Sequence, residues 1–131
     1  MAPSSNVIQD RVAEFLQRYP PFSLLEPADC AELAARVSIR YVPAGTVLFR
    51  EGMPPGDEFY VVRQGSVEGY EEGPPRQLVD VCDEGDVFGV RAHVAREPYL
   101  ATAAAVDECL LYVVPVAAAQ PLMKKSARVA L

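Results

Sequence analysis

The apolar positions of the chain change period near residue 38. Before it, Ile8, Val12, Phe15, Leu16 and Tyr19 recur at intervals of three and four, the spacing of one helix face. Asn6 is placed to cap that helix, Gln9 follows three residues later as in a capping box, and Pro20 and Pro21 stop it. After the link Phe22 to Glu26, Pro27 suits the first position of a second helix, in which Leu33, Ala34 and Val37 make a narrow apolar face. Both helices read as flanking elements docked on something else.

From Ser38 onward the pattern is one of short extended runs: 39–42, 46–50, 59–63, 67–71, 77–82 and 101–114, the last long enough for two strands. Turn residues separate them at 43–45, 52–57, 64–65, 73–75 and 83–86. Strands this short and this evenly punctuated imply a mainly β fold, a jelly-roll-like antiparallel β-roll (a double-stranded β-helix), rather than a parallel sheet with crossover helices. The alanine-rich segment Val116 to Leu131 reads as a closing helix that Pro121 either begins or kinks. The expected organisation is one domain over 1–131: a helical lead 6–37, a β-roll 38–114 containing a turn-and-helix segment 86–100, and a helix 116–131. An end in mid-helix is expected of the amino-terminal part of a longer protein.

Composition narrows the function classes. A chain of 131 residues, 50% apolar and 23% charged, is long enough to bury roughly two thirds of the surface it would expose unfolded. The net charge of −6, with basic residues scattered except for Lys124, Lys125 and Arg128, argues against a nucleic-acid surface, which depends on clustered cations. Cys30, Cys82 and Cys109 are odd in number, lack a C-x-x-C pair and have only His93 to help them bind metal; they read as buried reduced thiols of a cytoplasmic protein. The first six residues lead into no signal-peptide core, and no apolar run approaches the ~20 residues of a membrane span.

The chemistry concentrates in "FGVRAHVAREPYLATA", residues 88–103. A strand ends at Phe88, Gly89 lets the backbone bend, and a short helix runs until Pro98 stops it. A helix beginning after Gly89 offers free N–H groups and the positive end of its dipole to an anion such as phosphate. Holding a nucleotide needs more: a carboxylate accepting from ribose hydroxyls and an arginine giving paired hydrogen bonds to phosphate oxygens. No carboxylate follows the glycine and no arginine follows the proline.

The run "LFREGMPPGDEFYVVRQGSVEGY", then "GDVFG", a short helix, a proline and an alanine-rich strand, resembles the cyclic nucleotide-binding domain family over about residues 8–123. Gly45, Gly52, Gly65, Gly85 and Gly89 carry the match. The resemblance implies a β-roll with helices at both ends and a phosphate-binding cassette for cyclic AMP or cyclic GMP, here formed by Phe88, Gly89, Val90, Arg91, Ala92, Tyr99, Leu100 and Ala101. It also implies a one-residue insertion in Met53 to Glu58, since Gly52 to Gly65 is longer than the family interval. Where the family has glutamate for the ribose 2′-hydroxyl this chain has Val90, and where it has arginine for the cyclic phosphate this chain has Tyr99. Charged hydrogen bonds contribute about 1.5 to 3 kcal/mol each, so losing two would weaken binding on the order of a hundredfold to ten-thousandfold.

Arg91, alone or with His93, is the one candidate to supply positive charge to a different anion; the competing reading points Arg91 to solvent while Val90 takes over packing. Arg96 and Glu97 read as a solvated helix end. His93 has no nucleophile near it in sequence, so catalysis is not expected. Asp80, Asp83, Glu84 and Asp86 lack the ligand spacing of a calcium loop and read as a solvated turn. Tyr60, Tyr70 and Tyr112 sit in strands and read as core or cross-strand residues.

The strings "FGVR", "REPY", "DECLLY" and "PPF" further resemble a branch of this family in which the domain precedes a pair of cystathionine β-synthase-type (CBS) domains and a nucleotidyltransferase-like domain. That resemblance implies a regulatory module without enzymatic activity of its own. Its ligand would be a cyclic nucleotide or another small phosphate-containing molecule, and its allosteric change would pass through Val116 to Leu131. Two other readings stand beside it: the sensor of a transcription regulator whose helix-turn-helix lies beyond residue 131, and a ligand-free interaction or homodimerisation module.

Overall fold

In this computed structural model the described residues are 3–130, with side chains from 7 to 126. They fall into two compact units, Met1–Val37 with Val114–Leu131, and Ser38–Val113.

The helical unit holds α1 (Pro3–Leu16), a short 3-10 turn at Phe22–Leu24, α2 (Pro27–Ala34) and α4 (Val116–Ala130). In α1 the predicted spacing buries Val12, Phe15 and Leu16, and Tyr19 packs its ring on Phe15 at 4.9 Å. The helix begins at Pro3, so Asn6 lies inside it and does not cap it, and the Asn6–Gln9 capping box is not formed. Proline, with its fixed φ and missing N–H, suits a first turn. The same logic places Pro27 at the start of α2, as the sequence predicts. Gln17 donates through its amide to the carbonyls of Phe22 and Leu25 at 2.9 and 3.2 Å, fixing the link after α1. Pro121 lies within a continuous α4, which is tied down by Ser126 donating to the Leu24 carbonyl at 3.0 Å and by Lys125 pairing with Asp29 at 3.2 Å.

The other unit is the antiparallel roll. One sheet has the order β1 (Ser38–Val42), β8 (Cys109–Pro115), β3 (Glu58–Gln64), β6 (Val87–Phe88); the second has β2 (Val47–Phe49), β7 (Thr102–Ala105), β4 (Val67–Glu71), β5 (Gln77–Cys82). Apart from the consecutive pair β4 and β5, neighbouring strands are distant in sequence, with Ser38 opposite Val113 and Val67 opposite Ala105. The predicted run 101–114 resolves into β7 and β8. Inward residues of both sheets, among them Val62, Val67, Phe88, Ala103 and Leu111, form one core, to which Tyr60 belongs; Tyr70 and Tyr112 are buried as expected. At about 25 cal/mol per Å² this apolar burial is the main favourable term holding the sheets together.

The outer strand β5, like β1, is exposed along most of its length. Its residues from Gln77 to Val81 are exposed, Leu78, Val79 and Val81 among them. The pairing with β4 slips between Gly69 and Tyr70, leaving Val79 as an extra residue, and the Val81 N–H donates to the Asp80 carboxylate at 2.9 Å.

The turn from β3 to β4 brings two segments of the roll into close approach. Gly65 has φ 102, and a Cβ on it would stand 2.6 Å from the Glu108 carbonyl oxygen and 2.7 Å from the Cys109 sulfur. Gly65→Ala is expected to lower stability by about 2 to 4 kcal/mol, combining backbone strain with overpacking. Gly45→Ala, where φ is 87 but no atom lies within 4 Å, should show only the backbone part, about 1 to 2 kcal/mol. Urea unfolding of the two variants checks the difference.

Candidate functional site

The segment that the sequence singles out is built from three pieces. Strand β6 ends at Phe88, whose register opposite Tyr60 on β3 fixes where the turn begins. Gly89 takes the left-handed conformation, φ 86, and helix α3 (Val90–Ala95) follows at once without a side-chain cap. The helix stops at Arg96, also left-handed with φ 55, whose N–H bonds back to the Ala92 carbonyl, as does that of Glu97 at 3.1 Å. Pro98 and Tyr99 then lead toward β7.

The expected site residues separate into two groups. Phe88, Ala92 and Tyr99 are buried, Gly89, Val90 and Ala101 half-buried, and Arg91 and Leu100 exposed. Arg91 therefore faces water, while His93 turns back and sets its Nε2 3.1 Å from the Glu58 carbonyl oxygen. Arg96 and Glu97 are exposed. Asp83, Glu84 and Asp86 form a turn in which the Asp83 N–H donates to the Asp86 carboxylate at 2.8 Å and Glu84 pairs with Arg63 at 3.6 Å.

Tyr99 is the best-anchored residue of the segment. Its N–H donates to the Met53 carbonyl at 2.9 Å, its own carbonyl accepts from the Gly52 N–H at 2.8 Å, and its hydroxyl accepts from the Gly56 N–H at 3.3 Å. Its ring stacks on Phe49 with centroids 3.8 Å apart and planes 14° apart. Phe49 in turn lies near Phe88 at 6.1 Å and Tyr60 at 6.5 Å, and its ring edge would be 3.3 Å from a Cβ at Gly89. Burial, with the Glu58 carboxylate adding to it, holds the Tyr60 phenol above its usual pKa.

A polar ring lies beside the stack. Thr102, fully buried, accepts from the Glu51 N–H at 2.9 Å and donates to Glu72 at 2.5 Å, while the Glu72 N–H donates to the Glu51 carboxylate at 2.8 Å. Arg50 pairs with Glu72 at 3.4 Å. Phe49, Gly56 and this Glu51–Thr102–Glu72 ring escaped the sequence reading. Among the described residues no cluster of three or more His, Cys, Asp or Glu could hold a metal ion, and no helix is long and apolar enough to cross a membrane.

An antiparallel roll with a glycine turn, a one-and-a-half-turn helix and a proline between β6 and β7 defines a class. The family profile describing the cyclic nucleotide-binding domain matches residues 39–126, and the chain belongs to that family. It is 34% identical over 94 residues to a cAMP-dependent protein kinase regulatory subunit of Emericella nidulans, covering 72% of this chain and 22% of that protein. The chain thus spans under a quarter of that relative's length. Among solved structures it resembles the regulatory domain of Toxoplasma gondii PKA in complex with cAMP, with TM-score 0.84 and 23% identity over 95% of this chain and 48% of that one. It also resembles the sensor domain of the transcriptional regulator DNR from Pseudomonas aeruginosa, with TM-score 0.81 and 26% identity over 93% and 83%. It is a regulatory domain of the cyclic nucleotide-binding kind.

Two predictions follow from the local chemistry. Arg96 occupies a left-handed helix end that favours glycine, so Arg96→Gly is expected to raise stability by about 0.5 to 1 kcal/mol in thermal unfolding. The three cysteines are buried and unpaired, and burial raises all three thiols, Cys82 to about 12 with the Asp80 carboxylate adding to the effect. A thiol whose folded pKa is raised keeps its proton while the unfolded chain loses it. Stability should therefore hold below about pH 9 and fall as pH rises toward 12, with a shallower fall in Cys82→Ala. Denaturant midpoints between pH 7 and 11 test this.

Proposed function

We propose that this chain is the regulatory module of a multidomain signalling protein, whose cassette binds cyclic AMP and cyclic GMP weakly or not at all. The observation that carries this reading is Tyr99: at the position where the family holds arginine, a buried aromatic ring stacks on Phe49 and presents no charge. Val90, half-buried at the start of α3, stands where the family holds the ribose glutamate and offers no acceptor. Arg91 is exposed and supplies no charge from inside the roll. The strings "FGVR", "REPY" and "DECLLY" support a place ahead of CBS-type domains and a nucleotidyltransferase-like domain, to which the cassette's state would be passed through the carboxyl-terminal segment.

A second reading, the sensor of a transcription regulator, is favoured by the likeness to the DNR sensor domain, which extends over 83% of that chain. The sequence of the full-length protein separates the two, since CBS repeats or a helix-turn-helix would each be legible in it.

Isothermal titration with cyclic AMP and cyclic GMP, alongside ATP, AMP and cyclic dinucleotides, tests the cassette. The double variant Val90→Glu/Tyr99→Arg is expected to bind cyclic AMP about a hundredfold to ten-thousandfold more tightly than the parent chain, which gives little or no heat. Micromolar binding by the parent chain, abolished by Arg91→Ala, would overturn this reading and make Arg91 the phosphate ligand.

A further inference from the structure

The ring of Phe49 touches both ends of the cassette. Its edge lies against the backbone of Gly89, where a side chain would come within 3.3 Å, and its face carries Tyr99, ten residues further on. The loop 50–57 closes the arrangement from the other side, through the reciprocal backbone pair of Tyr99 with Gly52 and Met53 and through the Gly56 N–H on the Tyr99 hydroxyl. The base of that loop is fastened in turn, because the Glu51 N–H is bound to buried Thr102 and the Glu51 carboxylate to the Glu72 N–H.

The longer loop and the tyrosine suit each other chemically. An arginine at position 99 has only donors, and it could not accept from the Gly56 N–H; the tyrosine hydroxyl can. An arginine serving a phosphate would also have to leave the face of Phe49 to reach it.

We propose that Tyr99 and the Gly52–Gly56 loop form an internal clamp that holds the cassette closed on Phe49. Cyclic nucleotides are then excluded by this occupied, fastened segment and not only by the missing charges. The inference rests on the reading of a weakly binding cassette and adds to it a cause that can be removed separately. On it, Tyr99 is the specificity-determining residue of the site, and whatever loosens the loop opens the cassette.

Tyr99→Ala adds no charge and no hydrogen-bonding group, so it separates the two causes. If the clamp excludes the ligand, this variant binds cyclic AMP at least about tenfold more tightly than the parent chain in titration. If Tyr99→Ala binds no better while Val90→Glu/Tyr99→Arg does, the clamp is overturned and the weak-cassette reading stands. If the parent chain itself binds at micromolar concentration, both fall.

Tyr99→Phe covers the case in which the alanine variant does not fold, since it keeps the ring and its stack and removes only the hydroxyl. Amide hydrogen exchange should then accelerate about fivefold to tenfold at Gly56, and measurably in Val90–Ala95, while β3 and β8 remain protected. Acceleration confined to Gly56, with α3 unchanged, would show that the loop does not hold the cassette and would overturn the proposal.

Discussion

A backbone without a side chain pressed against an aromatic ring sets the geometry of the site. Phe49 lies so close to residue 89 that a Cβ there would stand 3.3 Å from its ring and push it by a few tenths of an ångström, and Gly89 can start a helix directly after a two-residue strand because its left-handed φ turns the chain within one residue. The stack of Phe49 on Tyr99 and the start of α3 meet at that contact. Substitution at either place would move three elements together, since a close-packed interior has few ways to absorb a displaced ring.

Most of the roll was legible because its signals are local. The glycines that carried the family resemblance, Gly45, Gly52, Gly65, Gly85 and Gly89, all adopt positive φ, so each marked a turn that only a residue without a side chain makes easily. Alternation then placed the strands within a residue or two. The Asn6 cap failed because proline at position 3 could start the helix earlier, and a capping pattern cannot show which of two competing starts is used. At the site, the sequence showed that Val90 and Tyr99 depart from the family pattern. It could not show what Tyr99 does, because its partners Phe49, Gly52, Met53 and Gly56 lie more than 40 residues away. Nor did it show the Glu51–Thr102–Glu72 ring, whose members come from three separate stretches and carry no common motif.

That ring bears on how two carboxylates are kept beside a buried hydroxyl. Glu72 is met by the Thr102 hydroxyl and by Arg50, and Glu51 by a backbone N–H, so the negative charge near the cassette is satisfied from within the fold. Tyr99 itself meets the face of Phe49 and backbone groups of Gly52, Met53 and Gly56. The cations of the cassette helix, Arg91 and Arg96, lie at the surface.

The outer strand β5 ends one sheet with its residues from Gln77 to Val81 exposed and three of them large and apolar. A strand of that composition ordinarily invites a neighbouring chain to continue the ladder, the first step toward aggregation. Here the extra residue at Val79 breaks the even rhythm that an incoming strand would need, and the Asp80 carboxylate already occupies the Val81 N–H. The edge of the sheet therefore offers an incoming strand an interrupted ladder instead of a regular one.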